Sequence, residues 1–165
     1  MDTQVWTPLQ HVNEWIRFAD GKATALLAAS GVLGGLLAGT HPIGAVHRPA
    51  DVLALGAFVI AMAAVTTCAG VSLLSLQPRV RRRLATPSLL YFGDVMRQFA
   101  ESPERFSAAF LALAADNVAL GREIARQVWT NSAIASVKFR LVSVATWSIG
   151  VALLAAGVEA VARHS

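Results

Sequence analysis

The chain has a single cysteine, Cys68. A disulfide within the chain is therefore excluded, and paired-thiol redox chemistry with it. The four histidines, His11, His41, His47 and His164, are scattered without metal-ligand spacing, so no metal site is expected. There is no phosphate-binding P-loop, no glycine-rich dinucleotide loop and no nucleophile elbow. Asp94 and Asp116 are carboxylates without an evident acidic partner. These absences argue against an enzyme and against a bound cofactor. No alternating strand pattern and no internal repeat is present, which leaves an all-α fold.

Charge is also scarce, and its distribution is informative. Val52 to Leu76 contains no charged side chain over 25 residues. At ~1.5 Å per residue such a helix exceeds the ~30 Å of bilayer hydrocarbon. Ala23 to Gly39 and Leu141 to Val158 are similarly free of charge over 17 and 18 residues. The sequence thus predicts an integral membrane protein with three transmembrane helices. Its segments are 8–39 for an N-terminal helix and first span, 52–76, a helical region over 77–140, and 141–158. A soluble helical bundle is the competing reading.

The basic residues orient this arrangement. Of 14 Lys and Arg, only Arg48 and Arg163 fall on one side. Arg17, Lys22, the Arg79, Arg81, Arg82 and Arg83 cluster, Lys138 and the rest fall on the other. The positive-inside rule places the N-terminus and residues 77–140 in the cytoplasm. The four clustered arginines act as a membrane anchor in this reading. The formal charge of +4 and pI near 10.2 suit anionic lipid first, then a small anionic ligand; nucleic acid is not expected as a partner. The residues before the first apolar run include Asp2, Glu14 and Asp20, which argues against a cleaved signal peptide.

Local signals set the helix boundaries. Thr7-Pro8 reads as an N-cap followed by proline at the first helical position, and Ser102-Pro103-Glu104 repeats that signature. With only Gly121, Gly150 and Gly157 beyond it, one helix is allowed from Pro103 into the third span. On it, Phe106, Phe110, Leu113, Asn117, Leu120, Ile124, Gln127, Asn131 and Ile134 recur at alternating spacings of four and three. This is the seam of a coiled coil, with Asn117 and Asn131 at a positions, where asparagine fixes register and oligomer state. Packing against the N-terminal helix is the plainer use of the same seam. In the first span Gly31, Gly35 and Gly39 lie four apart, a spacing that lets membrane helices approach closely. Both features nominate a homo-oligomer. Thr66, Thr67 and Ser72 on the second span, and Ser143, Thr146 and Ser148 on the third, have hydroxyls suited to bonds between helices.

Three blocks carry a resemblance. They are Asn13-Glu14-Trp15-Ile16-Arg17-Phe18-Ala19-Asp20-Gly21-Lys22-Ala23 before the first span, Ser88-Leu89-Leu90-Tyr91-Phe92-Gly93-Asp94-Val95 in the middle, and Gln127 to Phe139 before the last span. In this order the chain resembles the transmembrane effectors of Pycsar bacterial antiphage defence. The resemblance implies a response to cyclic CMP or cyclic UMP made by a pyrimidine cyclase. It implies that the effector then impairs the inner membrane and halts the infected cell. No cyclic-nucleotide-binding β-roll is recognisable, so the ligand site it implies is helical. The polar members of the blocks are the candidates: Asn13, Asp20, Lys22, Asp94, Gln127, Asn131, Ser132 and Lys138. Lysines suit the phosphate, and amides suit a base edge. A constitutive membrane scaffold or partner subunit without a nucleotide ligand is the alternative, and a membrane-bound enzyme a weaker one.

Overall fold

A computed structural model describes residues 5–40, 48–77 and 87–164. The described residues form five helices and no strand: α1 (Thr7–Thr40), α2 (Pro49–Leu76), α3 (Phe92–Phe99), α4 (Pro103–Ala115) and α5 (Asn117–His164). Three of them, α1, α2 and α5, are long and apolar enough to cross a membrane, which agrees with the three predicted spans. The arginine cluster 79–83 lies outside the described residues.

Helix starts and stops follow the expected chemistry with two corrections. Thr7 is already the first helical residue, and Gln10 N–H donates to the Trp6 carbonyl at 3.1 Å, so the start lies one residue earlier than Pro8 implies. Pro103 follows Ser102 at the first position of α4 as predicted. The single helix from Pro103 onward is not formed. Asp116 is extended (φ −103°, ψ 99°), and its Oδ1 accepts from Val118 N and Ala119 N at 2.9 and 3.0 Å. A carboxylate that takes two orphan N–H groups starts a new helix, and local capping wins over the continuous seam. Asn117 is consequently the exposed first residue of α5, not a buried a position.

The chain divides into two compact units, residues 1–17 with 78–137, and residues 18–77 with 138–165. The second holds the apolar stretches. Within it α1 and α5 run parallel, since Asp20 pairs with Lys138, Ala19 and Ala23 pack near Val142, and Leu37 packs near Ala152. α2 runs against both: Leu76 joins the Ala19–Val142 cluster, while Ala61 and Val65 join Leu37 and Ala152. The buried positions of α2, namely Ala54, Ala57, Ala61, Val65, Cys68, Ser72 and Ser75, step by three and four, one stripe of a helix. Small residues dominate this core, as close packing between membrane helices requires.

The glycine of closest approach is not the one the spacing nominates. A Cβ on Gly34 would meet Val65 Cγ1 at 3.1 Å, whereas Cβ atoms on Gly31, Gly35 and Gly39 would meet nothing within 4 Å. The Gly31–Gly35–Gly39 face is open in the single chain. The hydroxyls also behave differently from expectation. Thr66, Thr67, Thr146 and Ser148 donate to their own i−4 carbonyls at 2.8–2.9 Å, and not between helices. A Ser or Thr in a helix has that local acceptor within reach without meeting a second helix.

Candidate ligand-binding site

In the first unit α5 buries a polar stripe. Glu123, Gln127 and Thr130 are 7 %, 6 % and 8 % exposed, beside buried Leu120 and Ile124. Their spacing of four and three puts them on one helix face. Gln127 Nε2 donates to Asn131 Oδ1 at 3.1 Å, and Asn131 Nδ2 donates to Asn13 Oδ1 at 2.8 Å. The three amides form a chain from α5 to α1. Asn131 thus meets its polar partner within the same chain. The remaining carbonyl and amino groups of Gln127 and Asn13 present the mixed donor and acceptor character that a heterocycle edge requires.

Glu123 and Arg126 extend this stripe and were not among the predicted residues. Arg126 Nη2 lies 2.6 Å from Glu123 Oε2, while Glu123 Oε1 is buried with no hydrogen-bond partner. The signal was available, because Glu123 falls four residues before Gln127. It was hidden because the seam runs through Leu120, Ile124, Gln127 and Asn131 and leaves Glu123 just beside it.

Asp20, Lys22 and Lys138 belong to the second unit. Lys138 is 6 % exposed, and its ammonium pairs with the Asp20 carboxylate. A buried lysine so matched is held in place by its counter-ion. Lys22 is exposed and sits 4.5 Å over the Phe18 ring, and Phe18 in turn packs against Phe139 at 6.4 Å. Ser132 is exposed.

Asp94 organises its own segment. Its Oδ2 accepts from Ser88 N at 3.0 Å and its Oδ1 from Arg97 at 2.9 Å, while Ser88 Oγ accepts from Leu90 N. The carboxylate is spent on folding the turn that leads into α3. An open groove of about 560 Å³ lies elsewhere, between α2 and α5 near Ala50, Leu53, Leu154 and Val161. Its apolar side chains offer nothing to a charged phosphate. Among the described residues no group of His, Cys, Asp and Glu is placed to hold a metal ion.

The three sequence blocks therefore each contribute structured polar contacts. Comparison with known proteins accounts for the pattern. The Pycsar effector protein domain matches residues 4–163, almost the whole chain. The chain belongs to the Pycsar effector family. It is 32 % identical over 139 residues to the Pycsar effector protein PtPycTM of Propioniciclava tarda, a match covering 81 % of this chain and 66 % of that protein. It is 45 % identical over 53 residues to the Pycsar effector protein MePycTM of Micromonospora echinofusca, covering 32 % of this chain and 90 % of that protein. The matched region thus spans about two thirds of the first relative's length. No solved structure matches the chain.

Proposed function

We propose that this protein is an antiphage effector that binds cyclic CMP or cyclic UMP and in response impairs the inner membrane. It acts without catalysis of its own. The observation that carries the reading is the amide chain Asn13–Asn131–Gln127 on a buried polar face, in a chain of the Pycsar effector family. Amides recognise a pyrimidine edge through paired donors and acceptors. The basic side of the chain faces the cytoplasm, where the nucleotide is made, and the N-terminus lies there too. Several copies assemble, using the open Gly31–Gly35–Gly39 face. A pyrimidine cyclase is the functional partner and need not touch the effector.

Titration calorimetry on detergent-purified protein tests this. Saturable binding of cyclic CMP or cyclic UMP is expected, weakened at least tenfold in Asn131→Leu. Heat of binding absent for both nucleotides, or unchanged by that substitution, refutes the site.

A further inference from the structure

The interior of the three-helix unit changes chemistry along its length. At the Lys138 end it is mixed, with buried hydroxyls on α2 and α1 beside the apolar Ala19–Ala23–Val142 cluster. Beyond the Lys138–Asp20 pair come Ser75, Ser72 and Cys68 on α2 and Ser30 on α1, all 0–1 % exposed. Ser30 Oγ donates to the Leu27 carbonyl at 2.7 Å, and the Cys68 thiol points at the Leu26 carbonyl, 3.8 Å away. The Ser72 and Ser75 hydroxyls are sealed from solvent and have no hydrogen-bond partner. Elsewhere in the same unit serine and threonine hydroxyls satisfy themselves on the i−4 carbonyl. Two neighbouring hydroxyls left unpaired are costly in a dry interior and well suited to a wet one.

The next layer is different. Leu37, Ala61, Val65 and Ala152 are buried together, backed by Leu33, Phe58 and Met62. Past it, Glu159 is 4 % exposed and paired with Arg163. Polar groups thus stand at both ends of the bundle interior, and an apolar layer separates them.

We propose that this interior is a closed proton path, with the Leu37–Ala61–Val65–Ala152 layer as its gate. Hydroxyls and water pass protons along a hydrogen-bonded row: one proton enters at one end, another leaves at the far end, and no group changes its net charge. An apolar constriction blocks such a row because it does not hold water. Separation of the helices at this layer wets it and joins the two polar ends. The inference rests on the membrane-impairing reading and specifies the damage as collapse of the proton gradient, without passage of larger solutes.

The test uses the full chain in vesicles of phosphatidylethanolamine and phosphatidylglycerol with an internal pH dye and entrapped carboxyfluorescein. Val65→Thr keeps the side-chain shape and adds one hydroxyl to the gate. It should admit protons at least tenfold faster than the parent with no nucleotide added, and retain carboxyfluorescein. Val59→Thr, on an exposed position of the same helix, should remain as tight as the parent. Ala61→Ser carries the same expectation if Val65→Thr fails to insert. Replacing Ser72 and Ser75 by alanine in the leaky variant should slow entry again. The path is overturned if gate variants are proton-tight, or if carboxyfluorescein escapes along with the protons. Parent vesicles that ignore both cyclic nucleotides would sink the messenger reading, while the gate variants still decide the path.

Discussion

Residues 117–137 and 138–164 of α5 belong to one uninterrupted helix, yet they bury different chemistry. The first stretch buries Glu123, Gln127 and Thr130; the second, from Val142 on, buries Ala145, Ala152 and Ala162 with Glu159. Both stripes follow nearly the same heptad register. What differs is the task of the surroundings. Where water supplies the drive for association, a helix can spare buried positions for amides and a carboxylate. Where lipid surrounds it, apolar burial gives no drive, and contact rests on small side chains that let backbones approach. Polar burial and small-residue packing thus follow one another along the same helix, on either side of Lys138.

Several substitutions sharpen or break this division. The largest effect is expected at Gly34→Leu. A leucine there drives into Val65, so overpacking should cost about 3 kcal/mol and prevent compact assembly of the three helices. Thermal aggregation in detergent measures it. A parent-like melting temperature would mean that close approach does not hold the membrane half. Lys138→Met comes next. It strands Asp20, but that carboxylate is 37 % exposed and regains water, so the loss should be about 1–2 kcal/mol. The exchange Asp20→Lys with Lys138→Asp should restore much of it, and failure to do so would show that the pair is not matched by charge.

Asn131→Leu should cost about 1 kcal/mol: Asn13 is exposed and rebonds to water, but the buried Gln127 amide loses its acceptor. Its signature is a split: a melting temperature lowered by a few degrees with nucleotide affinity lost at least tenfold. A lowered melting temperature with unchanged affinity would make the amide chain structural only. Smallest for the fold is Gly35→Leu, expected within ~0.5 kcal/mol of the parent since its Cβ meets nothing. Cross-linking in membranes should nonetheless yield smaller assemblies. Unchanged cross-linking would remove that face from any contact between copies.

The three long helices were legible because charge-free runs of this length have few other uses. The parallel pairing of α1 and α5 was half legible: the seam through Leu120, Ile124, Gln127 and Asn131 was visible, and the N-terminal helix was one of the two partners it allowed. Periodicity describes one helix face and is silent about what covers it. Asn131 could equally meet a second copy, and only the geometry selects Asn13. The break at Asp116 was missed for a related reason. No glycine or proline marks it, and an aspartate in a helical run reads as surface until its carboxylate is seen taking two N–H groups. Gly34 lost to the Gly31–Gly35–Gly39 spacing because a motif counts residues, whereas approach depends on which face meets α2.

The Asp20–Lys138 pair has a consequence in time. The two residues are separated by 118 positions. At roughly 5–20 residues per second, synthesis takes about 6–24 s to travel from one to the other. Throughout that interval the first helix exists without its counter-ion. The solvent-reaching partner is the one made early, and the buried one is made late. Asp20 can wait in contact with water; Lys138 emerges when its carboxylate is already in position. Order of manufacture thereby spares the chain from holding Lys138 uncompensated at the edge of the lipid.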